Sequence, residues 1–208
     1  MKFSYKEVNK IPVAIIDNYY DTKAQQKIMD ELEFLNNDSR KLKPPHETGS
    51  AYRTDTNGEK LYLKKNKAIE LDTIYADRSV SNILTENRKL FSPEVANSLI
   101  DLHPLFRYVA FATLDSTLVS YYENSDYYKK HHDTAVITAI TWFYKKPKSF
   151  EGGDLILEDD LKVECISNRC VIFPSCTFHS VDYIRMKSDI TRENSGRFAI
   201  SQFLYFSF

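Results

Sequence analysis

His131 and Asp133 lie one residue apart, and a third candidate ligand, His179, follows on a later segment. Two histidines and one carboxylate make up the facial triad that holds ferrous iron and leaves coordination positions open. On an extended strand, residues two apart share a face, so His131 and Asp133 are expected to point one way and His132 the other. His132 is read as a surface or satisfied histidine, and His46 and His103 fall outside any ligand spacing. The carboxylate leaves such an iron site with residual positive charge, which suits an anionic chelating co-substrate that shares the metal with O2. The far end of a dicarboxylate needs a buried cation, and Arg197 stands in an otherwise apolar run. Arginine meets a carboxylate bidentately and stays charged. Residues 197, 199 and 201 share a strand face, so Ser201 can donate beside Arg197 while small Ala199 leaves space.

Short strands must position these groups. From about residue 117, runs at 118–122, 135–144, 154–157, 170–173 and 197–206 are rich in Val, Ile, Thr, Phe and Tyr, with turn or charged segments between them. The preceding half reads differently. Residues 11–20 form an apolar strand, after which Asp21 or Thr22 caps a helix carrying Ile28, Met29, Leu32 and Leu35 on one face. Residues 36–49, with Pro44-Pro45, read as loop. Amphipathic helical stretches are expected at about 68–76 and 80–91, and Ser92-Pro93-Glu94 looks like another helix start. Helices first and many strands afterwards suggest an α+β, mainly β fold: a β-sandwich or jelly roll with supporting helices. A single domain is expected over 1–208, with 1–115 as helix-rich support and substrate loops and 116–208 as the metal-binding strands.

Composition argues for an ordinary globular chain. Of 208 residues, 42% are apolar and 27% charged, and the net charge of -1 gives no basic excess to attract nucleic acid. The opening Met1-Lys2-Phe3-Ser4-Tyr5-Lys6-Glu7 lacks the apolar run of a signal peptide. No segment approaches the roughly 18 apolar residues of a membrane span, so no membrane partner and a cytoplasmic location are expected. Cys165, Cys170 and Cys176 lack paired spacing and are expected to be reduced, mostly buried thiols.

Several segments then fall into a family pattern. Tyr122-x-x-Ser125-x-x-Tyr128-x-x-His131-x-Asp133 resembles the signature of prolyl 4-hydroxylases, where Gly usually stands in place of Ser125. Glu151-Gly152-Gly153-Asp154-Leu155 resembles the family's Gly-Gly-acidic turn, and Phe173-Pro174-Ser175 its approach to the distal histidine. Arg197-Phe198-Ala199-Ile200-Ser201 is similar to the final strand of the oxygen-sensing prolyl hydroxylases, and Tyr52-Arg53-Thr54 with residues 58–63 to an upstream substrate segment. The elements occur in family order over most of the chain.

This resemblance implies a double-stranded β-helix, a jelly-roll or cupin-like core with supporting N-terminal helices. It implies Fe(II), 2-oxoglutarate and O2 as cofactors, with ascorbate as a reductant. It assigns iron to His131, Asp133 and His179, and the far carboxylate of 2-oxoglutarate to Arg197 with Ser201 and Tyr122. Trp142 is placed beside the co-substrate, with a core role as the open alternative. Tyr128 is placed at the substrate, as is Arg53, for which a solvated arginine is the alternative. The stretch 181–196 makes the gap from His179 to Arg197 longer than the family's, so Lys187 and Arg192 are alternative cations and the stretch itself a lid or hairpin extension. Gly152 and Gly153 are expected to serve a turn with positive φ.

The function implied is hydroxylation of an unactivated C–H bond, with a prolyl residue in a peptide or protein as substrate and succinate and CO2 released. The rival readings are the same chemistry on a free amino acid, another protein side chain or a small metabolite, and a non-catalytic jelly-roll binding protein. A nucleic-acid dealkylase is disfavoured by the charge balance, and Asp133 disfavours a halogenase, which would lack that carboxylate.

Overall fold

A computed structural model describes residues 1–38, 41–48, 51–187 and 192–206. The chain opens with a hairpin of β1 (Lys2–Val8) and β2 (Ile11–Asp17), joined by Asn9 and Lys10, both at positive φ. Two such residues match the right-handed twist of the strands they connect. The following helix α1 (Thr22–Asn37) is capped by Asp21, whose side chain accepts from Ala24 N, and buries Ile28, Leu32 and Leu35. Next come an exposed hairpin of β3 (Tyr52–Thr54) and β4 (Lys60–Tyr62), then β5 (Lys64–Lys65) and β6 (Lys67–Glu70).

The helix expected at 68–76 is instead β6 followed by a single 3-10 turn, Leu71–Thr73. Residues 67–70 pair with an edge of the main sheet, and that tertiary ladder overrides a weak local helical pattern. The stretch 80–91 is broken: α2 (Asn82–Glu86) is flanked by 3-10 turns at Arg78–Val80 and Asn87–Phe91. Helix α3 (Pro93–Leu102) starts as expected, with Ser92 accepting from Val95 N and Pro93 in the first turn. A short α4 (Arg107–Phe111) precedes the long strand β7 (Leu114–Tyr122). Buried Glu31 joins the helices: it accepts from Ser81 Oγ at 2.7 Å and from Ile83 N at 2.9 Å, tying α1 to the start of α2.

The remaining strands are β8 (Tyr127–His131), β9 (Ile137–Phe143), β10 (Phe150–Gly152), β11 (Leu155–Leu157) and β12 (Leu161–Val163). They continue with β13 (Arg169–Pro174), β14 (His179–Val181), β15 (Ile184–Met186) and β16 (Arg197–Tyr205). A seven-stranded antiparallel sheet runs β1-β2-β13-β9-β16-β7-β6, and a five-stranded sheet runs β12-β11-β14-β8-β5. Two small ladders, β10-β15 and β3-β4, complete the set. The result is the expected jelly roll with a few supporting helices. The first 115 residues contribute six strands as well as those helices. Residues 188–191 of the 181–196 stretch lie outside the described residues; residues 184–186 of it form β15, paired with β10.

Alternation along the strands divides the interior. Phe198 and Ile200 of β16 join Ile28, Leu32, Leu99 and Ile172 in a core between the large sheet and the helices. Ile140 and Trp142 of β9 join Phe150, Leu155 and Phe173 in a second core between the two sheets. The opposite face of β16 therefore turns Arg197, Ala199 and Ser201 into the space between the sheets. Among the described residues no helix is long and apolar enough to cross a membrane. Cys165 and Cys170 are buried and Cys176 is exposed, all three as free thiols.

Candidate active site

One cavity opens between the sheets. Leu118, Ser120 and Tyr122 line it from alternate positions of β7, and Arg197, Ala199, Ser201 and Phe203 from alternate positions of β16. The five-stranded sheet adds Tyr128, His131, His179 and Val181, and Asp133 closes the rim. His131 and His179 are register partners across β8 and β14, which brings their rings to a centroid separation of 4.2 Å. One ligand atom from each of His131, Asp133 and His179 can be chosen so that all lie within 4.8 Å of one another. His131 Nε2 is 3.9 Å from Asp133 Oδ1, and His179 Nε2 is 3.5 Å from Asp133 Oδ2.

Both imidazoles are oriented by their own backbone. His131 Nδ1 is 2.8 Å from Lys129 O, and His179 Nδ1 is 2.9 Å from Thr177 O. A carbonyl only accepts, so each Nδ1 carries the proton and each Nε2 presents a lone pair to the centre. Burial, with His179 beside it, pushes the His131 pKa down to about 3, which keeps that lone pair free. Tyr128 stacks on His131 at 3.7 Å between centroids, and Phe173 meets His179 edge-on at 5.1 Å.

Asp133 differs from the strand expectation, because β8 ends at His131. Its position is set instead by β9 and the turn after β13. Its N–H donates to Ser175 O at 2.9 Å, and Thr138 Oγ1 donates to Oδ2 at 2.8 Å. Thr138 Oγ1 and Ser175 Oγ are themselves 2.8 Å apart. His132 turns outward as expected: it is exposed, and its ring packs edge-on against Phe178.

Arg197 lies at the inner end of the cavity, 1% exposed. Its guanidinium is 4.7 Å from the centre of the Tyr122 ring and 5.6 Å from that of Trp142. Nε and Nη1 are buried without a hydrogen-bond partner among the described residues. A buried cation with unsatisfied donors is unfavourable, so an anion in the cavity would suit this group. Tyr122 is raised in pKa by burial, with Arg197 pulling the other way, so its phenol stays protonated at neutral pH and can donate. The donor set thus fits both parts of the cofactor pair: two imidazole nitrogens and a carboxylate for Fe(II), and a buried guanidinium for a dicarboxylate's far end.

Other expected residues fall differently. Trp142 does not line the cavity; it is fully buried in the inter-sheet core beneath Arg197, opposite Ala199 in register. Arg53 is exposed on β3, outside the cavity. The alternative cations are engaged elsewhere: Lys187 Nζ donates to Lys148 O, and Arg192 donates to Lys146 O, Pro147 O and Ser149 Oγ. Gly152 and Gly153 have φ of 75° and 73°, and a β-carbon on Gly153 would lie 2.9 Å from Arg197 Cδ. Gly153 therefore makes room for the arginine as well as the turn. Thr138 and Ser175, which hold Asp133, were not singled out from sequence, nor was Lys64, whose buried side chain stands at the cavity mouth. The only sequence signal for Ser175 is its place in the Phe-Pro-Ser run.

A sequence model of the 2OG-Fe(II) oxygenase superfamily matches residues 117–205, the segment that carries every cavity strand from β7 to β16. PKHD-type hydroxylase YbiX of Escherichia coli K12 is 27% identical over 145 residues, covering 62% of this chain and 58% of that protein. The matched region thus spans little more than half the length of the curated relatives. A prolyl-4-hydroxylase of Pseudomonas putida superposes with a TM-score of 0.60 at 13% identity, covering 93% of this chain and 92% of that one. A Trichoplax adhaerens prolyl hydroxylase, solved with a hypoxia inducible factor peptide fragment, gives 0.56 at 17% identity, with 93% and 83% covered. The match to the 2OG-Fe(II) oxygenase superfamily thus covers the strands that line the cavity, and the solved prolyl hydroxylases share the fold over most of the chain. In fold the chain is prolyl 4-hydroxylase-like, and the cofactors that the matched superfamily implies are Fe(II), 2-oxoglutarate and O2.

Proposed function

We propose that the protein is an Fe(II)- and 2-oxoglutarate-dependent hydroxylase acting on an unactivated C–H bond of a prolyl residue in a peptide or protein, with release of succinate and CO2. The observation that carries this reading is a buried guanidinium, its Nε and Nη1 without a hydrogen-bond partner among the described residues, in the same cavity as the His131, Asp133 and His179 cluster. His131 Nε2, His179 Nε2 and Asp133 would hold the iron. Bound iron would supply O2 activation coupled to oxidative decarboxylation of 2-oxoglutarate.

The chain's own groups do the rest. Arg197 would take the far carboxylate through its free N–H groups, with Ser201 and the neutral phenol of Tyr122 as further donors on the cavity wall. Trp142 would act from below, its ring bracing the guanidinium. Tyr128, stacked on His131, would form the wall against which the substrate lies. Arg53 would act only at an exposed end of the substrate, because its hairpin is outside the cavity. The peptide-bound Trichoplax relative supports a peptide as substrate.

The experiment is mass spectrometry of proline-containing peptides incubated with protein, Fe(II), 2-oxoglutarate and O2, with succinate measured in parallel. A mass gain of one oxygen, matched by succinate and lost in His179→Ala, is expected. Succinate without a modified prolyl residue in any peptide would overturn the substrate, and turnover of free amino acids alone would replace it.

A further inference from the structure

The groove that shares Tyr128, His131 and Asp133 with the cavity is also lined by two charged side chains that the iron and 2-oxoglutarate roles do not use. Lys64 and Glu70 both line it, beside Tyr128, His131 and Asp133. Lys64 is only 4% exposed, and it pairs in register with Tyr128 between β5 and β8. Directly opposed residues of an antiparallel pair share a face, so the lysine leaves its strand on the cavity side. Its ammonium is 5.6 Å from the Tyr128 ring centre, and among the described residues no hydrogen bond or ion pair reaches it. Glu70 ends β6 opposite Leu118 of β7, and its Oε2 is buried with no hydrogen-bond partner among the described residues. The two feel each other's field: burial lowers the Lys64 pKa while Glu70 raises it, and burial and Asp72 raise the Glu70 pKa while Lys64 lowers it. They are nonetheless not in ion-pair contact.

A neutral peptide filling this groove would leave both largely buried charges without a partner, which is unfavourable. A substrate with charge of one sign would satisfy one group and be repelled by the other. We propose that Lys64 and Glu70 form a two-sign specificity pair, selecting a substrate that carries a carboxylate on one side of the reacting residue and an ammonium or guanidinium on the other. This rests on the hydroxylase reading of the same cavity. Lys64 donates to the carboxylate, Glu70 accepts from the cation, and the direction of the pair sets the direction in which the substrate lies.

The test is calorimetric binding of five end-blocked heptapeptides with a central Glu-Pro-Lys, Lys-Pro-Glu, Glu-Pro-Glu, Lys-Pro-Lys or Ala-Pro-Ala, with free L-proline as competitor. One dipolar order is expected to bind about tenfold tighter than the neutral and single-sign peptides. The double variant Lys64→Glu with Glu70→Lys keeps the net charge and is expected to prefer the opposite order. Should that variant fail to fold, Lys64→Met and Glu70→Gln must each remove the tenfold advantage of the dipolar peptide over Ala-Pro-Ala. If L-proline competes, weakened by either single variant, while dipolar peptides do not, the two charges are those of an amino-acid zwitterion and the pair stands. Equal affinity for all five peptides, no binding of any probe, or an order preference unchanged by the swap overturns it. Fe(II)/2-oxoglutarate absorbance on the same wild-type preparation separates the two claims. Absorbance without charge preference sinks only the specificity pair, and charge preference without absorbance sinks only the hydroxylase.

Discussion

His131 and His179 face each other across β8 and β14, and each directs its Nδ1 to the carbonyl two residues earlier in its own chain, Lys129 O and Thr177 O. The same local device on two paired strands turns both Nε2 atoms toward Asp133. A lone pair fixed in advance lowers the cost of ordering a ligand when a metal arrives. His179→Ala is therefore expected to abolish tight Fe(II) binding while leaving the fold intact, read by metal titration alongside circular dichroism. Retained stoichiometric binding would remove His179 from the ligand set.

Thr138 offers a subtler probe, since it touches Asp133 Oδ2 and not the metal position. Thr138→Val keeps the shape and removes the donor. Loss of a partner that orients a ligand typically lowers metal affinity by about 10- to 100-fold. The same Fe(II) titration measures it, and an unchanged affinity would mean that Ser175 O at the Asp133 N–H suffices to hold the carboxylate.

Arg197 should control 2-oxoglutarate and little else. Arg197→Ala is expected to weaken 2-oxoglutarate binding by about 100-fold, the value of a bidentate charged contact. Arg197→Lys should recover only part of this, because one ammonium cannot replace the fork. Fe(II) affinity should stay the same in both variants. Unchanged 2-oxoglutarate binding in Arg197→Ala would leave the buried guanidinium without a role.

Gly153 makes a separate prediction about the same arginine. Its φ is positive, and an added β-carbon would come within 2.9 Å of Arg197 Cδ, so a side chain has no space there. Gly153→Ala is expected to cost about 1–3 kcal/mol of stability. It should also raise the 2-oxoglutarate dissociation constant, because Cδ must move. Denaturant unfolding and 2-oxoglutarate titration report the two effects independently.

Ser125 occupies the position where the prolyl 4-hydroxylase signature has glycine, and it sits at a φ of 64°. Holding a residue with a β-carbon there costs about 1 kcal/mol, which glycine avoids. Ser125→Gly should therefore raise the melting temperature by about 2–4 °C, less whatever the exposed Lys65–Ser125 hydrogen bond contributes. A lower melting temperature would show that the hydrogen bond outweighs the backbone strain.

Much of the site was legible because its chemistry is local in sequence. The His131-x-Asp133 motif, the Gly152-Gly153 turn and the alternation of Arg197, Ala199 and Ser201 can each be read from neighbouring residues, although Thr138 and Ser175 rather than strand alternation hold Asp133 in place. The alternation is what put Arg197 on the cavity face and Phe198 in the other core. Features that depend on partners distant in the chain were not legible. Residues 68–76 carry a weak helical pattern, yet pairing with β7 makes 67–70 a strand. Lys64 looks like one of many surface lysines until its register with Tyr128 turns it inward. Strand β1 mixes charged and apolar residues so evenly that only its pairing with β2 reveals it.

The most direct measurement is an anaerobic titration of metal-free protein with Fe(II) and then 2-oxoglutarate, followed in the visible region. A weak charge-transfer band that appears only when both are present, vanishes in His179→Ala and requires far more 2-oxoglutarate in Arg197→Ala is expected. Folded protein that binds neither Fe(II) nor 2-oxoglutarate, or a band indifferent to both substitutions, would contradict the assignment of this cavity as the oxygenase centre.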